Sequence, residues 1–91
     1  MSQADITVHG TPNPNAAKFV VSGASLGTKS RSYFGADEAG GDELATRLFG
    51  VDGVRALLIV DNFITVTKSD EVTWDDIVED ITWIIGEALG S

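Results

Sequence analysis

The sequence predicts an α+β domain, a two-layer sandwich in which a mostly antiparallel sheet of about four to five strands carries two helices packed on one face. Three observations predict it. Segments before residue 70 alternate apolar and polar residues with a period of two, as half-buried strands do. Val54–Lys68 reads as two such strands closed on each other at Asp61-Asn62. Residues 43–49 and 74–89 repeat apolar side chains every three to four positions, so each is a helix with one apolar stripe, and both stripes need a sheet face to hide them.

Ile6 and Val8 alternate with Thr7 and His9 in a first strand. Gly10 and the Pro-Asn repeat end it, because Pro12 and Pro14 cannot donate ladder hydrogen bonds. Ala17–Ser22 is a second strand, Gly23 to Ser30 a loop rich in Gly, Ser and Thr, and Arg31–Phe34 a short third strand. After Gly40, Gly41 and Asp42, the residues Leu44, Ala45, Leu48 and Phe49 share one face of a helix that Gly50 stops. Val51-Asp52-Gly53 turns the chain into the hairpin.

Asp and Asn both tolerate positive φ, so Asp61-Asn62 is expected to form a type I′ turn. Pairing Val60 with Phe63 then sets Leu57 against Val66 and Ile59 against Ile64 on the core side. Leu58, Phe63, Ala56, Thr65 and Thr67 share the other, semi-polar side. Thr73 is placed as the N-cap of the last helix, with Asp76 at the capping-box position and Val72 and Ile77 as a hydrophobic staple. Trp74, Ile77, Val78, Ile81, Ile84, Ile85, Ala88 and Leu89 form its apolar face.

Ninety-one residues leave room for one domain, residues 1–91, whose folding hides roughly 60–65% of the extended-chain surface. Fourteen acidic residues against six basic ones give a formal charge of −8, which repels phosphate backbones and anionic lipid and so argues against nucleic acid and membrane as partners. The chain has no cysteine, which removes disulfides, thiolate nucleophiles and thiolate-held metals or clusters. His9 is the only histidine and cannot complete a zinc site, so neither metal nor cofactor is expected. No run approaches the roughly 18–20 apolar residues of a membrane span. Met1–Asp5 has neither part of a signal peptide and is unlike a transit peptide, although a chain already relieved of one looks the same, and a cytoplasmic protein is the expectation.

No catalytic residue emerges. The carboxylates are spread along solvent-facing positions, Ser22, Ser25, Ser30 and Ser32 have no base beside them, and Gly40-Gly41 lacks the lysine of a phosphate loop.

Two segments carry a resemblance. Thr11-Pro12-Asn13-Pro14-Asn15 and the hairpin ending Val60-Asp61-Asn62-Phe63-Ile64-Thr65-Val66-Thr67-Lys68 resemble the N-terminal domain of Nfu-type (NifU-like) iron–sulfur cluster scaffold proteins. That family runs from TPNPN through an extended segment, a helix and a DFITVTK hairpin to a final helix, and the likeness spans Thr11 to Leu89. Its members hold their cluster on a second, C-terminal domain with a Cys-x-x-Cys pair, and this chain stops before any such domain. The resemblance therefore implies a stand-alone, non-catalytic module of iron–sulfur cluster assembly that docks on a protein partner, either a cluster carrier or a recipient apoprotein, without binding the cluster itself.

Trp83 heads the candidate partner-binding residues, because helical phase sets it opposite the apolar stripe among Glu79, Asp80 and Glu87. Either a strand edge or terminus covers it, or it contacts a partner whose surface is basic. Thr11, Asn13 and Asn15, on a loop stiffened by two prolines, are the second candidate, with Lys18 and Arg31 nearby. They form either a plain turn or a recognition loop for a small anionic ligand or phosphopeptide, and Lys18, Lys29 and Arg31 make either a small basic spot or, more often for such a pattern, an ordinary solvated strand face. The oligomeric state is left open.

Overall fold

A computed structural model describes residues 5–23, 26 and 29–90. Its strands are β1 (Asp5–Gly10), β2 (Ala16–Ser22), β3 (Arg31–Tyr33), β4 (Val54–Val60) and β5 (Phe63–Lys68), and its helices α1 (Glu43–Phe49) and α2 (Trp74–Gly90), with a 3-10 turn at Ala36–Ala39. The strands form one five-stranded sheet in the order β1-β2-β5-β4-β3, antiparallel at every junction.

Alternation decides which side chains face the helices. In β2, Ala17, Phe19 and Val21 are buried while Ala16, Lys18 and Val20 turn the other way. The register sets Phe19 against Ile64 and Ala17 against Val66, and then Ile64 against Ile59 and Val66 against Leu57, as pairing Val60 with Phe63 requires. These rows meet Ala45 and Leu48 of α1 and Ile77, Ile81 and Ile85 of α2 in one buried cluster, so both helices cover the same face. Complete burial of each large side chain here, such as Phe19, Leu48, Ile59 and Ile81, contributes about 1.5–3 kcal/mol over leaving it exposed.

The helix starts are chemically defined. Asp42 caps α1 by accepting the Ala45 N–H on Oδ1 at 3.2 Å. At α2 the Asp76 carboxylate accepts the Thr73 N–H at 3.1 Å, the backward half of a capping box. Ile77 is buried and Val72 half-buried, as a staple places them.

The backbone differs from expectation at three places. Neither Asp61 nor Asn62 has positive φ, so the tip is not a type I′ turn. Its carbonyls serve neighbours outside the hairpin: Asp61 O accepts Leu26 N–H and Asn62 O accepts Val21 N–H, each at 2.7 Å, and this tertiary anchoring orients the tip. Gly50 ends α1 in right-handed conformation, and the left-handed residue comes at Gly53, with φ +100°. β3 stops at Tyr33, which leaves Phe34 outside the sheet and 78% exposed. Of the predicted loop from Gly23 to Ser30, Ala24, Ser25, Gly27 and Thr28 lie outside the described residues.

Candidate functional site

Trp83 projects from the solvent side of α2 and is 62% exposed, because the stripe centred on Ile77, Ile81 and Ile85 takes the opposite side. Glu79, Asp80 and Glu87 lie one turn away on either side of it and are exposed, as their helical phase predicts. The face is not uniformly acidic, however. α1 runs beside this part of α2, and its Arg47 pairs with Glu87 while its guanidinium stands 5.9 Å from the Trp83 ring centroid. A shallow groove of about 420 Å³ between the helices is lined by Arg47, Asp52, Asp80, Trp83 and Ile84. The result is an indole offered to solvent with a guanidinium near its ring and the carboxylates of Asp52, Asp80 and Glu87 around both. Such a surface suits an apolar anchor with Lys or Arg around it.

The Thr11 to Asn15 loop has its polar groups turned toward its own chain. The Thr11 hydroxyl lies 2.9 Å from Asn13 O and 3.0 Å from Ala16 O and accepts the Asn13 N–H. Asn13 Oδ1 accepts the Asn15 N–H at 2.9 Å, an Asx turn. Asn15 donates from Nδ2 to Asp70 and accepts from Lys68 Nζ on Oδ1, while Pro14 O accepts the Trp74 Nε1–H at 3.1 Å. The loop thus fastens the β1–β2 turn to the end of β5 and the start of α2. Trp74 is half-buried there rather than enclosed, 6.2 Å from the Phe19 ring.

Lys18 and Arg31 do not converge on this loop. Lys18 pairs with His9 and Thr65 on the helix-free face, where its ammonium stands 4.2 Å from the Phe63 ring centroid. Arg31 pairs with Ile59 and so turns to the helix side, where it donates to Asp42 at 2.6 Å and to Leu26 O at 2.7 Å. Strand order separates them further, since β5 and β4 lie between β2 and β3. Lys29 is exposed outside the strands, so the three cations make no common spot.

Two features had no clear sequence signal. Asp42, nearly buried, accepts from Arg31, from the Tyr33 hydroxyl at 3.0 Å and from Ala45 N–H, tying β3 to α1. Its cap role was legible only as an Asp before an apolar run. Burial, then the hydrogen bond to Asp42 and its negative charge, raise the Tyr33 pKa, and Arg31 opposes them. Phe34 is the second feature: its exposure depends on where β3 stops. Among the described residues no group of three or more His, Cys, Asp or Glu is placed to hold a metal ion. Among the described residues no helix is long and apolar enough to cross a membrane.

Residues 6–91 match the family model described as the N-terminal part of the scaffold protein Nfu/NifU. The chain is 34% identical over 86 residues to the mitochondrial NifU-like protein 5 of Arabidopsis thaliana, covering 94% of this chain and 31% of that protein. It is 35% identical over 77 residues to the mitochondrial NFU1 iron-sulfur cluster scaffold homolog of Homo sapiens, covering 84% and 30%. The chain thus spans about a third of the length of these curated relatives. Among solved structures, a NifU-like protein from Saccharomyces cerevisiae superimposes with a TM-score of 0.81 at 32% identity, over 93% of this chain and 77% of that one. These relatives overturn the expectation of a cytoplasmic protein, since both curated proteins are mitochondrial by name. The first five residues were a poor guide, because the composition of so short a segment does not fix a compartment.

Proposed function

The chain belongs to the Nfu/NifU N-terminal scaffold family, and from that premise we propose that it serves iron–sulfur cluster assembly or delivery as a docking domain, neither catalysing a reaction nor holding the cluster. One observation carries the reading: a domain of a cluster-scaffold family has no cysteine in 91 residues yet keeps Trp83 62% exposed on its last helix. Without thiolates the chain lacks the usual cluster ligands. A solvent-facing indole is a typical anchor of protein interfaces.

In this reading the partner is a cluster carrier or a recipient apoprotein, with an apolar pocket for the indole and basic residues opposite Glu79 and Asp80. The carboxylates speed and orient the encounter, while burial of the indole holds the complex. Arg47 keeps the ring presented and neutralises Glu87, which leaves Glu79 and Asp80 as the acidic contacts, Asp80 on the wall of the groove toward α1. The names of the relatives support a mitochondrial setting.

Anaerobic incubation with ferrous iron and sulfide, followed by gel filtration and iron analysis, tests the cluster-free part. Background iron in the protein fraction is the expected result, and stoichiometric iron that survives filtration overturns it.

A further inference from the structure

The sheet has a second face, turned away from α1 and α2. Cross-strand register lays His9, Lys18, Thr65, Leu58 and Ser32 in one continuous row over all five strands. In the adjacent row Phe63 stands between Val20 and Val60. Among the described residues no helix covers these rows; Leu58 is 38% exposed, and the Lys18 ammonium stands 4.2 Å from the Phe63 ring centroid.

Charge on the chain is segregated between the layers. The strands hold four of the six basic residues and only Asp5 of the fourteen acidic ones, but Arg31 turns to the helix side onto Asp42 and Lys68 is held by Asn15, so Lys18 is the cation within this face. Asp5 is the first residue of edge strand β1, Asp61 lies at the hairpin tip, and Asp70 and Glu71 follow the end of β5, so these acids stand at the rim of the face. Lys18 stands within the face, and Arg55 is exposed at the β4 bulge, at the end of the strand away from Phe63, where Asp70 and Glu71 line the same hollow. A chain of charge −8 thus presents one apolar surface with a cationic centre, backed by an acidic helix layer.

We propose that this helix-free face docks an acidic protein segment that carries apolar side chains. Apolar groups of the segment cover Leu58 and Phe63, and a carboxylate takes the Lys18 ammonium, which already lies at the surface of the ring. The acids of α2 repel the same segment, so it is steered to the sheet and away from the helices. This site is independent of Trp83, which lies on the opposite layer and favours a basic partner. Two faces of opposite preference would let the domain hold two proteins at once.

The test uses the 15N-labelled chain and two acetylated peptides, one alternating Leu and Glu, the other alternating Leu and Lys. The Leu/Glu peptide is expected to shift the amides of Lys18, Leu58, Phe63 and Thr65. Lys18→Glu with Arg55→Glu should weaken it by about tenfold or more, with α2 amides unshifted as the check on folding. The proposal is overturned if the Leu/Glu peptide moves none of these amides at about millimolar concentration. It is equally overturned if the shifts gather around Trp83, if the charge-reversed variant binds as well as wild type, or if the Leu/Lys peptide binds the sheet better.

Discussion

Lys68 Nζ donates a hydrogen bond to Asn15 Oδ1 at 3.0 Å, joining across 53 positions of sequence the two segments on which the family resemblance rests. The joint is reinforced by Lys68 N–H to Asn15 O at 2.8 Å, by Asn15 to Asp70, and by the Trp74 ring 5.9 Å from the ammonium. The Thr11 to Asn15 loop and the end of the hairpin are therefore one structural unit. Asn15→Ala removes both side-chain bonds and should lower stability by about 1–2 kcal/mol in urea unfolding. An unchanged urea midpoint would show that the bonds contribute nothing net.

Gly53 is a stricter site. Its φ is +100°, and a Cβ there would stand 2.5 Å from Val72 Cγ2, so left-handed strain and overpacking add. Gly53→Ala should cost about 2–4 kcal/mol, read from thermal or urea unfolding. At Gly41 a Cβ meets nothing within 4 Å, and Gly41→Ala is the control that should change little.

The two tryptophans should separate sharply. Trp74 packs against the core and donates to Pro14 O, so Trp74→Ala should cost about 2–4 kcal/mol, less than an enclosed Trp because its ring is half-buried. Trp83→Ala should cost under about 1 kcal/mol. Iodide quenching of the variants Trp83→Phe and Trp74→Phe gives an independent reading: the indole left at 83 should quench more readily than the one left at 74.

Tyr33 sets an alkaline limit. Burial and Asp42 keep its proton on in the folded protein to higher pH than in the unfolded chain, whose phenol has the ordinary pKa near 10.0. Unfolding above that pH therefore releases a proton, so the contribution is whole below pH 10 and is lost as pH climbs through the folded pKa. Tyr33→Phe should flatten the decline in stability above pH 10, measured by urea unfolding across the alkaline range. An identical decline in the variant would assign it to other groups.

Much of the helix-facing layer was legible because face follows period. Once Val60 is set against Phe63, parity alone sends Leu57, Ile59, Ile64 and Val66 inward and Leu58 outward, and the stripe of α2 leaves Trp83 outside. What depended on distant contacts was not legible. The Asp61-Asn62 turn follows hydrogen bonds to Val21 and Leu26, which no local propensity encodes. Lys18 and Arg31 look close in sequence, but strand order and opposite parity put them on two faces of the sheet. The loop polar groups read as free for recognition because Asp70 and Lys68, which bond the Asn15 amide, and Trp74, which donates to Pro14 O, come more than fifty residues later.

The central claim, that the domain docks on iron–sulfur proteins through Trp83, is tested most directly by affinity capture from host lysate with wild type and Trp83→Ala side by side. Captured proteins are identified by mass spectrometry, and matching circular dichroism spectra confirm that the variant is folded. The account predicts that cluster-carrying or cluster-receiving proteins are enriched by the wild type, are released by added salt, and are lost with Trp83→Ala, whose affinity falls by about 2 kcal/mol or more. Equal recovery of those proteins by both forms, or a wild-type catch without iron–sulfur proteins, would contradict it.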